Sequence, residues 1–186
     1  VADVVAMLRL VADPTAGAAA MRVLSGPRWR LGGRDIAALW RRAQELGGAA
    51  RASEPLSAES IAKATGPDTD VACLADAISD PGPAGGYSPA GYQRIAALAA
   101  ELTALRGHLG YSLPDLVAEV RRVVGVDCEV RATATGQWSG AEHLDAFADE
   151  VVGYAERAGA AAKASVAGLL AYLDVAAEVE NGLTPA

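Results

Sequence analysis

Apolar residues recur at helical spacing along almost the entire chain, and no segment sustains the period-two alternation of a half-buried strand. Val4, Val5, Leu8 and Val11 share one face of a first helix, which ends at Asp13-Pro14 because the residue before a proline avoids the α region. Thr15 is placed to cap a second helix that runs to Leu24 and is closed by Ser25-Gly26-Pro27. Asp35 is placed to cap a third helix over 35–46, with Gly47-Gly48 as its stop signal. Residues 47–56 read as a loop, followed by short helices over 57–65 and 70–78. The run 80–87, Asp-Pro-Gly-Pro-Ala-Gly-Gly-Tyr, is the densest cluster of breakers and predicts an exposed, mobile loop.

The second half is more regular. Ser88 as cap and Pro89 at the first helical position open a long helix with Ile95, Leu98, Leu102, Leu105 and Leu109 on one face. Ser112 starts the next helix, apolar at Leu116, Val117, Val120, Val123 and Val124, and residues 125–137 read as irregular or as a short extended excursion. Ser139-Gly140-Ala141-Glu142 fits a capping box and predicts a helix over 140–157. A last helix spans 165–178, with Asn181-Gly182 as its stop and 183–186 as a tail. The pattern as a whole predicts an all-α fold, a compact multi-helix domain of about eight or nine helices. Trp40 and Trp138 are expected as packing anchors within it.

Composition narrows the function classes. With 186 residues and 52% hydrophobic content the chain can bury one sizeable core, although much of that content is alanine. A net charge of −7 argues against a protein that coats nucleic acid with its whole surface. Cys73 and Cys128 show no CxxC or Cys/His spacing and read as reduced, buried thiols of a cytoplasmic protein rather than metal ligands. The longest uncharged apolar run ends at Asp174, far short of the ~20 residues a membrane span needs, so no membrane partner is expected. Asp3 and Arg9 interrupt the N-terminal apolar stretch and argue against a signal peptide, and the opening residue, Val1, suggests a piece of a longer protein.

The positive charge is concentrated. Between Arg22 and Arg51 stand seven arginines (Arg22, Arg28, Arg30, Arg34, Arg41, Arg42 and Arg51) against two acids, Asp35 and Glu45, while the rest of the chain has 9 basic and 21 acidic residues. The turn at the centre of this segment combines Pro27, the pair Gly32-Gly33 and a new helix start. Such a turn can offer backbone N–H groups and guanidinium groups to a phosphate. Arg28, Trp29, Arg30, Leu31, Gly32, Gly33 and Arg34 are therefore the candidate DNA-binding residues. Trp29 either stacks on sugar or base, or pins the turn to the helices. Asp35 as N-cap would compete with a phosphate for the same amides. No recognition helix dense in Asn, Gln and Arg accompanies the turn, so backbone contact without sequence readout is expected.

Enzyme constellations are missing from the sequence. Neither lysine, Lys63 or Lys163, follows a glycine in a phosphate-loop pattern. His108 and His143 stand far apart without metal-ligand or triad spacing, and adjacent Asp149 and Glu150 point about 100° apart on a helix. No catalytic, cofactor-binding or metal residue is assigned.

The same segments resemble the UvrD/Rep/PcrA-type superfamily 1 DNA helicases. Leu8-Arg9-Leu10-Val11-Ala12-Asp13-Pro14 is similar to the helix end that leaves the 2A motor domain, and Pro27-Arg28-Trp29-Arg30-Leu31-Gly32 occupies the place of a Pro-Lys/Arg-Arg-Gly-Ile-Gly turn that opens the inserted 2B domain. Ser112-Leu113-Pro114-Asp115-Leu116-Val117, His143-Leu144-Asp145-Ala146-Phe147 and Leu169-Leu170-Ala171-Tyr172-Leu173 resemble later helices of that domain. The arginine bias over lysine, 14 to 2, and the many Ala and Gly point to actinobacterial UvrD-like helicases or helicase–nucleases.

The resemblance implies an ATP-dependent 3′-to-5′ DNA helicase as the parent, with ATP and Mg held elsewhere in it and no ATPase site in this fragment. Residues 1–14 would be a helix of the 2A motor, and 15–182 a 2B accessory domain with a flexible loop near 79–87. That domain contacts duplex at a single-strand/duplex junction, docks on the motor domains of its own chain and can host a repair-protein partner. Arg30 stands where the family turn has its first glycine, which removes a residue free to take positive φ. The anion-binding backbone therefore shifts towards Gly33 or gives way to a guanidinium contact. Cut from the motor, the first helix is expected to be peripheral, fraying or packing on a neighbouring copy. The alternative reading is a helical protein-interaction module without direct DNA contact.

Overall fold

Helix starts are set by local caps at some described positions and by a distant side chain at the start of the helix that follows Ser88. The computed structural model describes residues 1–53, 73–133, 141–158 and 164–182, and within them the fold is all-α, with no strand. Nine helices are described: α1 (Ala2–Ala12), α2 (Gly17–Ser25), α3 (Gly33–Ser53), α4 (Leu74–Ser79), α5 (Pro89–Gly107), α6 (Leu113–Val124), α7 (Val126–Thr133), α8 (Ala141–Arg157) and α9 (Val166–Gly182). The chain divides into two compact units, one of residues 13–100 and one of residues 1–12 with 101–186. The expected helix over 57–65, the cap at Ser139, Trp138, both lysines and the 183–186 tail lie outside the described residues.

In the 13–100 unit, α4 packs against both α2 and α3. Ala20, Leu24, Leu39, Ala43, Leu74, Ile78, Ile95 and Leu98 form its core. The Asp13 carboxylate accepts from the Thr15 amide at 2.9 Å and the Thr15 hydroxyl at 2.6 Å. Thr15 is thus held in a turn, and α2 starts after Ala16 without a side-chain cap. Helix α3 runs through Gly47-Gly48 instead of stopping there. A helical glycine costs only ~1 kcal/mol relative to alanine, and the residues on either side are good helix formers.

The 80–87 segment is anchored, correcting the expectation of a mobile loop. The Arg42 guanidinium donates to the Asp80 carbonyl at 3.0 Å and to its carboxylate at 2.7 Å. The Tyr87 and Tyr92 hydroxyls donate to the carbonyls of Pro81 and Gly82. Tyr87 is buried and lies against Tyr92, with ring centroids 5.6 Å apart.

In the other unit α6 packs against α1, α7 and α8, and α1 also packs against α9. The start of α6 is local: Ser112 Oγ accepts from the Asp115 amide at 3.3 Å, and Gly125 closes the helix at φ 74°, where a side chain would be strained. Helix α7 follows at once over 126–133, where an irregular stretch is expected from the sequence, and 134–137 lie outside the described residues. Helix α1 is not peripheral. Val4, Met7, Leu8, Leu10 and Val11 are all buried, and apolar positions spread over most of its surface make it a core helix. Arg9 reaches the Asp174 carboxylate of α9 and holds it below the ordinary carboxylate range. Leu109, beyond the end of α5, is exposed rather than part of its buried face.

The start of α5 depends on Asp35. Ser88 is its N-cap, accepting from the Gly91 amide at 3.0 Å, yet Gly91 has no side chain to reach back to Ser88 as the third residue of a capping box does. The Asp35 carboxylate, from α3, fills that place. It accepts from the Ser88 amide at 2.7 Å and the Ser88 hydroxyl at 2.8 Å, and the residue is only 5% exposed. A Cβ on Gly91 would overlap this carboxylate. Gly91→Ala is therefore expected to destabilise the protein by about 2–4 kcal/mol, because it leaves a buried carboxylate without its donors. Gly48→Ala, with nothing close to its added methyl, should stabilise by up to ~1 kcal/mol. Chemical denaturation of the two variants checks this, and equal small effects would contradict the packing described.

Candidate nucleic-acid interface

The turn between α2 and α3 is fixed from inside. The Arg30 amide donates to the Gly26 carbonyl and the Leu31 amide to the Leu24 carbonyl, each at 2.9 Å. Leu31 and Trp29 are buried, Trp29 at 4% exposure, and the Arg28 guanidinium lies 5.1 Å from the Trp29 ring centroid. Trp29 therefore pins the turn and is not open to a base, and the Leu31 side chain and amide are likewise occupied within the turn. Of the seven residues expected at the interface, Arg28, Arg30, Gly32, Gly33 and Arg34 are exposed.

Arg30 departs from the expectation that positive φ is lost at this position. It adopts φ 47°, the left-handed conformation that a glycine would take there. A non-glycine residue in this region costs of order 1–3 kcal/mol unless its surroundings hold it. Here its amide is bonded to Gly26, its Nε donates to the Pro27 carbonyl at 2.9 Å, and its carbonyl accepts from Arg94 at 3.0 Å. The tight turn thus forms with an arginine at its left-handed position, and the Arg30 guanidinium folds back onto it.

Asp35 does not cap α3. The helix starts at Gly33, so Asp35 is its third residue and not its N-cap. Its amide and that of Ile36 bond back to the Gly32 carbonyl at 3.0 and 3.1 Å, while its carboxylate is engaged with Ser88. Among the described residues the Gly33 and Arg34 amides have no acceptor. These are the orphan donors of a helix start, at its positive dipole end. The competition for these amides expected from an Asp35 cap does not arise.

The local arginines divide into two kinds. Arg42 is structural, held by Asp80 and Glu45, whose carboxylates raise its pKa above the ordinary guanidinium value. Arg34 and Arg41 form no ion pair among the described residues and are exposed on α3. Beside them lies a surface feature absent from the sequence-based expectations. Trp40 is 43% exposed and Met21 39%, and with Ile36 and Ala37 they line a shallow groove open to solvent. Trp40 is therefore not the packing anchor expected. The buried stripe of α3 runs through Ala38, Leu39 and Ala43, and Trp40 falls roughly 100° past Leu39 on the helix.

The other polar groups singled out in the sequence have partners or surroundings of their own. His143 is exposed, and His108 stacks on Tyr111 with centroids 4.8 Å apart. Cys73 donates its thiol to the Pro14 carbonyl, and burial pushes its pKa up. Cys128 is exposed, correcting the expectation that both thiols are buried. Glu150 accepts from Arg157 and from the Tyr172 hydroxyl, which lower its pKa, while Asp149 is exposed. Among the described residues no group of three or more His, Cys, Asp or Glu could hold a metal ion, and no helix is long and apolar enough to cross a membrane.

Because Arg30 sits where glycine is preferred, Arg30→Gly should change stability by no more than about 1 kcal/mol, the relieved backbone strain offsetting the missing side-chain bond. Arg30→Val should cost more, about 2 kcal/mol, since a β-branched side chain is poorly tolerated at positive φ. Thermal melts of the pair separate a left-handed Arg30 from an ordinary one, for which the order would reverse.

No protein-family model matches the chain, and no curated protein matches it.

Proposed function

We propose that this chain is the accessory, 2B-like part of an ATP-dependent DNA helicase of the UvrD type, and that it contacts the backbone of duplex DNA, without sequence preference, near the unwinding junction. The observation that carries the proposal is the head of α3: Gly32, ahead of the helix, has no side chain to cap it and the Asp35 carboxylate is engaged with Ser88, so the Gly33 and Arg34 amides stand open beside the exposed Arg28, Arg30 and Arg34. Helix-start amides and guanidinium groups on one turn fit a phosphate, and such interactions gain affinity chiefly by releasing counterions. The turn offers no Asn or Gln, in keeping with interactions that position rather than read sequence. ATP hydrolysis, its Mg ion and 3′-to-5′ movement belong in this proposal to the motor domains of the parent, as the resemblance implies. Docking on those motors and on a repair protein belongs to it in the same way.

The test is a salt titration with a short duplex. Non-specific binding lies at about 10⁻⁴ to 10⁻⁶ M at physiological salt, and an acidic fragment acting alone belongs at the weak end. Arg28→Ala with Arg34→Ala should weaken binding and lower the slope of log K against log salt by about 0.9 for each phosphate no longer neutralised. Arg122→Ala with Arg157→Ala removes equal charge at exposed, ion-paired sites on other helices and should change both quantities little. Equal weakening by both pairs would reduce the site to diffuse charge. No binding by the unsubstituted fragment would favour the protein-interaction module instead.

A further inference from the structure

The groove on α3 differs in character from the turn at the head of the helix. Its floor is apolar, with Met21 from α2 beside Ile36, Ala37 and Trp40. At 100° per residue, Arg34 and Arg41 fall together on one flank of that floor, two turns and about 10.5 Å apart along the axis. Neither carries an ion pair among the described residues, and no carboxylate lines the groove. An exposed tryptophan costs water contact for its ring, and here that ring sits beside two cations without counter-charges.

We propose that this shelf takes an unpaired nucleobase, with the strand running along α3, a base against Trp40 and the flanking phosphates on Arg34 and Arg41. The inference rests on the DNA-contact reading and extends it from duplex backbone to single strand. Two features select this occupant. The charge on the flank calls for an anion, while the floor holds no Asn, Gln, Ser or Thr that would read a base edge, as in sequence-tolerant stacking platforms. The groove is also shallow and open, suited to a flat ring. An amphipathic peptide helix needs pockets for successive anchor side chains.

Tryptophan emission gives the readout, since Trp29 is buried and Trp40 is exposed. A short oligothymidylate should quench part of the emission of the wild-type fragment. Trp40→Ala should remove that part of the quench and weaken oligothymidylate binding about fivefold to a hundredfold, the range found when a stacking ring is removed. Trp40→Phe should keep most of the affinity, and Arg41→Ala should weaken binding and lower its salt dependence. Duplex affinity should stay within about twofold in both Trp40 variants, and circular dichroism should show them folded, as expected for a surface position.

Unchanged oligothymidylate affinity in Trp40→Ala would overturn the proposal. So would an equal weakening for single strand and duplex, or an equal quench by inorganic polyphosphate, which has no base. Preferential binding of an acidic amphipathic peptide at Trp40 would replace the proposed occupant by a protein. If Trp40-dependent single-strand binding persists while Arg28 and Arg34 prove irrelevant to duplex, the shelf stands and the duplex reading fails.

Discussion

The Asp35 carboxylate serves a helix to which it does not belong. Ser88 can cap α5 with its hydroxyl, but its own part-buried amide would be left without a protein acceptor, and a buried unpaired donor costs about 1–3 kcal/mol. Gly91 leaves the space, Asp35 fills it, and the two hydrogen bonds tie the first turn of α3 to the start of α5. The same bonds commit the carboxylate in the first turn of α3 to another helix, and Gly32 ahead of it has no side chain, so the head of α3 is left without a side-chain cap. A single buried side chain thus settles both how the 13–100 unit is held and which backbone groups its surface offers.

The turn ahead of α3 is built on that constraint. Trp29 and Leu31 plug it from below, and the backbone bonds to Leu24 and Gly26 close it. Arg94, from α5, donates to the carbonyl of Arg30 and so supports the residue whose backbone is least favourable. Because α5 is itself positioned by Asp35, the left-handed Arg30 and the open amides of Gly33 and Arg34 share a common support. A phosphate would meet donors already oriented, so little ordering entropy would oppose binding.

Much of the helical framework is legible in the residues because its signals are local. Ser88-Pro89 and Ser112 announce their helices within four residues, and Leu116 to Val124 carry the period of a buried face. What is not legible depends on partners distant in sequence. Asp35 and Ser88 are 53 positions apart, and Arg42 and Asp80 38, so neither the cap for α5 nor the anchoring of 80–87 can be read from a window of neighbours. The burial of α1 escapes the sequence reading because the family resemblance assigns it to another domain. Its apolar residues on several faces are the signal that it is a core helix. At the candidate site the arginine cluster is plain in the sequence. The division into the structural Arg42, the exposed Arg34 and Arg41, the plugged Trp29 and the exposed Trp40 requires knowing which stripe of α3 is buried.

Amide hydrogen exchange, read residue by residue at Ser88, Gly33 and Arg34, tests the account at its centre. If the Asp35 carboxylate caps α5 and not its own helix, the Ser88 amide is strongly protected, while the Gly33 and Arg34 amides exchange near the rate of an exposed chain. Fast exchange at Ser88 with protected Gly33 and Arg34 would mean that Asp35 does not cap α5 and that the head of α3 is closed, and the surface described for that turn would not exist.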